Sequence, residues 1–163
     1  MRTLIHLLAV FIIALGTIAA DSPSSKIFQM RLVVGAASND SEKIAIPKKW
    51  HARWHEGIDG NYFFVQKAIL IDQAALQSAN VSFDALGSPL IDIGFSDQGT
   101  KQFSEITRTN IQKKLAVFID GQLITAPLIL SQITNGQAQI SGTFDSPEAT
   151  NLVSKLRMAI QKK

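Results

Sequence analysis

The sequence predicts an α+β domain in which a mostly antiparallel sheet is covered by one central and one C-terminal helix. Three observations carry that expectation. Short β-prone runs separated by Gly, Asn and Pro turns recur from residue 27 onward. Residues 100–113 instead place Phe103, Ile106 and Ile111 at helical spacing, with Lys101, Glu105, Arg108 and Gln112 left for water. The chain then closes on a second helical stretch, opened by Asp145-Ser146-Pro147-Glu148 and carrying Ala149, Leu152, Val153, Leu156 and Ile160 on one face.

In chain order, residues 1–20 have the layout of a signal peptide: Arg2, an apolar run over 4–15, then the small residues Thr17-Ile18-Ala19-Ala20. The run is short beside the ~20 residues of a spanning helix, so cleavage is expected rather than retention as an anchor. Residues 21–26 form a polar leader, and 27–34 alternate as a first strand. Gly35 and the small polar residues up to Ser41 are expected to break that strand into a loop. Residues 44–60 have no clear period. After the turn Asp59-Gly60-Asn61 come two strands, Tyr62-Phe63-Phe64-Val65 and Ile69-Leu70-Ile71, and a short capped helix is expected over 72–78. Residues 80–83 and 89–95 read as strands joined by a turn at 84–88, with Asp92 pointing outward by alternation.

The best-patterned stretch is 95–144. Ser96-Asp97-Gln98-Gly99 offers N-capping oxygens to the central helix, and Lys113 and Lys114 suit its C-terminal end. Leu115-Ala116-Val117-Phe118-Ile119 is short and β-prone. Asp120-Gly121 is the dipeptide best suited to positive φ in a two-residue hairpin turn, and Gln122-Leu123-Ile124-Thr125 is the returning strand, ended by Pro127.

Composition excludes several functions. A net charge of +3 over 163 residues is modest and scattered, with no basic stripe for nucleic acid. The chain has no cysteine, which rules out thiol catalysis, cysteine metal sites and disulfides. No nucleophile elbow or phosphate loop is present, and the patterned part holds no histidine, so an enzyme is not expected and no cofactor is expected. The metal-ligand candidates are His51, His55 and Glu56; two imidazoles four apart would share a helical face, but Lys48, Lys49 and Arg53 in the same segment repel a cation. Trp50 and Trp54 have the same spacing, as an apolar edge or as binding anchors.

The run Phe103, Ile106-Thr107, Asn110, Lys114-Leu115-Ala116 and Phe118-Ile119-Asp120-Gly121-Gln122-Leu123-Ile124-Thr125-Ala126-Pro127 resembles the large periplasmic domain of SecD, a subunit of the bacterial Sec protein-export machinery. The head subdomain is the best match. Gly136-Gln137-Ala138-Gln139-Ile140-Ser141-Gly142-Thr143-Phe144, then Glu148-Ala149, Leu152, Leu156 and Arg157, are similar to its last strand and closing helix. Phe28-Gln29-Met30-Arg31-Leu32-Val33-Val34, Val81-Ser82-Phe83-Asp84, Gly87, Pro89 and Gly94-Phe95 are similar to its earlier strands. Ile111 stands where the family commonly has glycine, and Ala159 near a closing glycine.

The expected organisation is a signal peptide at 1–20, N-terminal strands with a variable basic and aromatic segment at 21–79, and a SecD head-like region at 80–163, with 21–163 forming one compact domain. The resemblance implies a freestanding exported, periplasmic or secreted, non-catalytic binding domain that contacts unfolded polypeptide, the Sec machinery or another envelope protein. Trp50, Trp54, Asp120, Gly121 and Gln122 are its candidate partner contacts, with Asp120 selected first of all for its turn habits. The competing expectation is an envelope protein binding a metal or small ligand through His51 and His55.

Overall fold

The computed structural model describes residues 26–39, 43 and 51–162. The expected signal peptide and Trp50 lie outside them. The described chain runs β1 (Phe28–Ala37), β2 (Ala52–Glu56), β3 (Tyr62–Gln66), β4 (Ile71–Asp72), β5 (Leu76–Phe83), β6 (Pro89–Phe95), α1 (Asp97–Thr109), β7 (Leu115–Ile119), β8 (Gln122–Thr125), β9 (Gln137–Ile140) and α2 (Ser146–Gln161). This is an α+β fold with one central and one C-terminal helix, and every pairing between these strands is antiparallel.

The strands divide between two sheets. The larger has the order β2-β3-β1-β7-β8, with β4 also paired to β1; the smaller has the order β5-β6-β9. β1 serves both ends of the larger sheet: Phe28 to Leu32 pair with β7, while Val33 to Ala37 pair with β3. Alternation along it then serves two clusters. Phe28 and Met30 join a large core with Val117 and Ile119 of β7, Ile91 and Ile93 of β6, Phe103 of α1, and Val153 and Leu156 of α2. Val33 turns the other way, to a smaller cluster of Phe63, Val65, Ala116, Phe118 and Leu123. β7 is buried along its whole length because its two faces feed both clusters, which explains its unbroken apolar sequence. The larger sheet also curls. Ile58, just beyond β2, donates its N–H to the Leu123 carbonyl of β8 at 3.1 Å, so the two ends of the sheet meet around the smaller cluster.

Local chemistry sets the element ends. Ser96 caps α1 by accepting from Gly99 N, and Asp145 and Glu148 form the reciprocal capping box of α2. Asp120 and Gly121 take φ of 52° and 80°, the left-handed pair the β7–β8 turn demands.

Four expectations need correction. β1 does not end at Gly35; a register shift between Val33 and Gly35 absorbs the irregularity, and pairing continues to Ala37. Residues 52–56 form a strand, because their pairing with β3 outweighs any helical spacing. The helix expected over 72–78 is a single 3-10 turn, Gln73–Ala75, capped by Asp72; fully buried Leu76 already belongs to β5. Finally, α1 ends at Thr109, ahead of Lys113, as Gln112 enters the left-handed region with φ 66°.

Gly99 marks a close approach between α1 and this 3-10 turn. The Ala75 carbonyl accepts from both Ser96 N and Ser96 Oγ, and a Cβ on Gly99 would lie 2.3 Å from that oxygen. Helix propensity alone favours alanine by about 1 kcal/mol, whereas forcing a methyl against fixed backbone costs about 1–3 kcal/mol. Gly99→Ala is therefore expected to lower stability, by up to about 2 kcal/mol, in urea unfolding; a gain in stability would show that α1 shifts freely on the 3-10 turn.

Candidate functional site

The structure separates the residues suggested as metal ligands. His51 lies ahead of β2, exposed, with φ 46°, and His55 sits four residues on along extended chain. At the strand rise, that is roughly 13 Å, far beyond the span of two imidazoles on one Zn²⁺. Glu56 alternates to the opposite face from His55. Among the described residues no group of three His, Cys, Asp or Glu is placed to hold a metal ion.

His55 instead belongs to a basic and aromatic cluster inside the curl. Arg53 and His55 of β2 stand opposite Val65 and Phe63 of β3, so they face the smaller cluster. The His55 ring meets Phe118 edge-on at 4.8 Å, and the Arg31 guanidinium of β1 lies 5.4 Å from the same ring centre. Arg53 Nε donates to His55 Nε2 at 3.0 Å. Burial, then Arg53, then Arg31 lower the His55 pKa from 6.5 to about 4, keeping the ring neutral.

The remaining partner candidates are placed as follows. Trp54 points away from the cluster and packs on Phe64, with ring centres 5.4 Å apart. The Asp120 carboxylate accepts from Lys155 Nζ at 2.5 Å, so the hairpin turn is docked on α2. Gln122 is exposed beside a recess of about 360 Å³ between β8 and α2, shared with Lys155 and Glu148.

A more apolar recess, which sequence reasoning missed, lies between segment 127–133, α1 and β9. It measures about 460 Å³ and is lined by Met30, Phe103, Leu115, Val117 and Ile140, with Leu128 and Leu130 on its wall. Its wall is tied down at alternate points. Ile129 exchanges backbone hydrogen bonds with Gln112 and Lys113, at 2.8 and 2.9 Å. Thr107, buried on α1, donates its hydroxyl to Phe103 O at 2.9 Å and accepts from Ile133 N at 3.0 Å. These ties turn Ile129 inward and leave Leu128 and Leu130 outward, 43% and 71% exposed. β9 closes the opposite side as the last strand of the smaller sheet; among the described strands it pairs with β6 alone, and its residues 137–140 line the recess. The unbroken run Pro127-Leu128-Ile129-Leu130 was the available signal, apolar yet lacking strand alternation.

Comparison with known proteins adds an independent line. Residues 49–160 match the family model described as SecDF, P1 head subdomain. The chain is 41% identical over 88 residues to the protein translocase subunit SecD of Sebaldella termitidis, covering 54% of this chain and 22% of that protein. To SecDF of Thermus thermophilus it is 42% identical over 88 residues, covering 54% of this chain and 12% of that one. SecD of Aquifex aeolicus is 30% identical over 136 residues, 82% of this chain and 26% of that protein. The chain thus spans about a quarter or less of these relatives. A solved structure of a membrane component SecDF that enhances protein export superposes with a TM-score of 0.61 at 29% identity, covering 80% of this chain and 61% of the other. No helix among the described residues is long and apolar enough to cross a membrane.

The depressed His55 pKa makes stability depend on pH. Between pH 6.5 and about 4 the unfolded chain takes up a proton that the folded chain refuses, so stability falls as pH drops through that window and levels off below it. The full shift would correspond to ~3 kcal/mol; for a half-buried ring, solvent screening reduces this to about 1–2 kcal/mol. Urea unfolding at pH 7 and pH 5 should show wild type losing more stability than His55→Phe; equal losses would place the titrating group elsewhere.

Proposed function

The chain belongs to the SecDF P1 head subdomain family, and from that membership we propose that it is a non-catalytic module that binds extended polypeptide during protein export, at the recess beside β9. The observation that carries this reading is the pairing of a free strand edge with an apolar floor. Backbone groups on an unpaired edge bind any extended chain in the same way, and pockets for alternate side chains add apolar contact without demanding a sequence. That combination suits a protein that meets many unfolded clients. Leu128 and Leu130 are large apolar side chains held outward by the ties at Ile129 and Ile133, an arrangement that costs solubility unless something covers them.

The proposed place of work is the bacterial periplasm or cell exterior, in keeping with the signal-like residues 1–20. Sec subunits and emerging exported chains are the proposed partners. Of the earlier contact candidates, Gln122 remains exposed and available, while Asp120 is engaged by Lys155 and Trp54 by Phe64. Nothing favours the metal reading, because the nearest charges to His55 are two guanidiniums that repel a cation.

The test is binding of a labelled extended peptide of about ten residues with alternating apolar side chains. Leu130→Asp should weaken binding by about tenfold or more, equivalent to about 1.4 kcal/mol. Met158→Asp, an exposed position on α2, should leave it unchanged. Equal affinities for wild type and Leu130→Asp would remove the recess as the binding site.

A further inference from the structure

We propose that Arg31, Arg53 and His55 form an oxyanion site that takes a phosphate group, free or as the headgroup of a phospholipid, at the Phe118 side of the curled sheet. The site is independent of the β9 recess. Three basic groups from two strands gather at one phenyl ring: Arg31 from β1 and His55 from β2 both lie against Phe118, and Arg53 reaches His55 directly. Among the described residues no carboxylate pairs with Arg31 or Arg53. Arg31 turns one N–H to the Gln29 side chain, but its Nε is buried and has no hydrogen-bond partner. A buried guanidinium N–H left unpaired costs free energy that a ligand oxygen would recover.

The chemistry of the donors selects the ligand. One guanidinium comes from β1 and a guanidinium and an imidazole from β2, several donors for one anion, and arginine forks pair with phosphate oxygens two at a time, which favours a phosphate over a single planar carboxylate. Burial is the first cause that holds His55 neutral, and the positive potential of Arg53 and Arg31, which adds to it, also attracts an anion. Binding then has a proton linked to it. With phosphate in place, His55 gains a negative neighbour, takes up a proton, stops accepting from Arg53 and donates to the anion instead; Arg53 is released to do the same. By linkage, phosphate raises the His55 pKa and acid pH tightens phosphate binding. The groups facing His55 are Arg53 on its own strand, Phe63 of β3, Arg31 of β1 and Phe118 of β7. Beyond them, Lys114 lies over Phe63 at 5.3 Å and shares a recess with Asp59, whose carboxylate accepts from Asn61.

The His55 ring can be titrated by NMR in the full chain, in phosphate and in chloride at equal ionic strength. The expected result is a pKa about one unit or more higher in phosphate, as for an anion bound tenfold more tightly to the protonated form. Arg31→Gln should abolish the difference, and exposed Arg53→Gln serves the same purpose should the first variant not fold. Sedimentation with phosphatidylglycerol or phosphatidylcholine vesicles separates the sources. Greater binding of wild type than of Arg53→Gln to the anionic vesicles assigns the site to a headgroup; a phosphate-dependent titration without that difference assigns it to a soluble phosphate. Identical titrations in the two salts, or a wild-type response from the arginine variants, would overturn the proposal.

Discussion

The structure depends on β1 belonging to two cores at once. Its first half pairs with β7 and β4, its second half with β3, and alternation sends Phe28 and Met30 to one side and Val33 to the other. A slip of one residue would exchange these sets and place Arg31 in the large core, at the cost of burying an unpaired guanidinium. The irregularity between Val33 and Gly35 lets one strand satisfy both partners. Every later element inherits this choice, since β7 must be apolar on both faces and β8 must return close enough to meet Ile58.

Two kinds of surface follow. On the side of the large core, the helices and the smaller sheet close most of the apolar area, but β9 ends its sheet and segment 127–133 is held at Pro127, Ile129, Gln132 and Ile133 with Leu128 and Leu130 left outward. The result is a shallow apolar recess beside a free strand edge. On the other side, the sheet closes on itself by curling, and the cations Arg31 and Arg53 with neutral His55 line that closure over Phe118. One surface offers apolar contact and backbone hydrogen bonds, the other offers positive charge.

Sequence made legible what short-range chemistry decides. The Asp120-Gly121 turn, the capping box of Asp145 and Glu148 and the strand over 115–119 all rest on contacts within a few residues, so they could be read directly. What pairing across the chain decides was hidden. The four-residue repeat of tryptophan and histidine before Glu56 fits a helix face and one face of a strand equally, and only the register with β3 chooses between them. Gly35 looked like a break because its partner Phe64 is distant in sequence. The same holds for the recess: Leu128 and Leu130 are ordinary apolar residues until Thr107, 26 positions before Ile133, fixes which of their neighbours turn inward.

The most direct measurement is amide hydrogen exchange of residues 137–140 with and without a bound extended peptide. Strand addition requires the amides on the free edge of β9 to exchange more slowly in the complex while those already paired with β6 change little. A peptide that binds without altering exchange along β9 would contradict polypeptide capture at this edge.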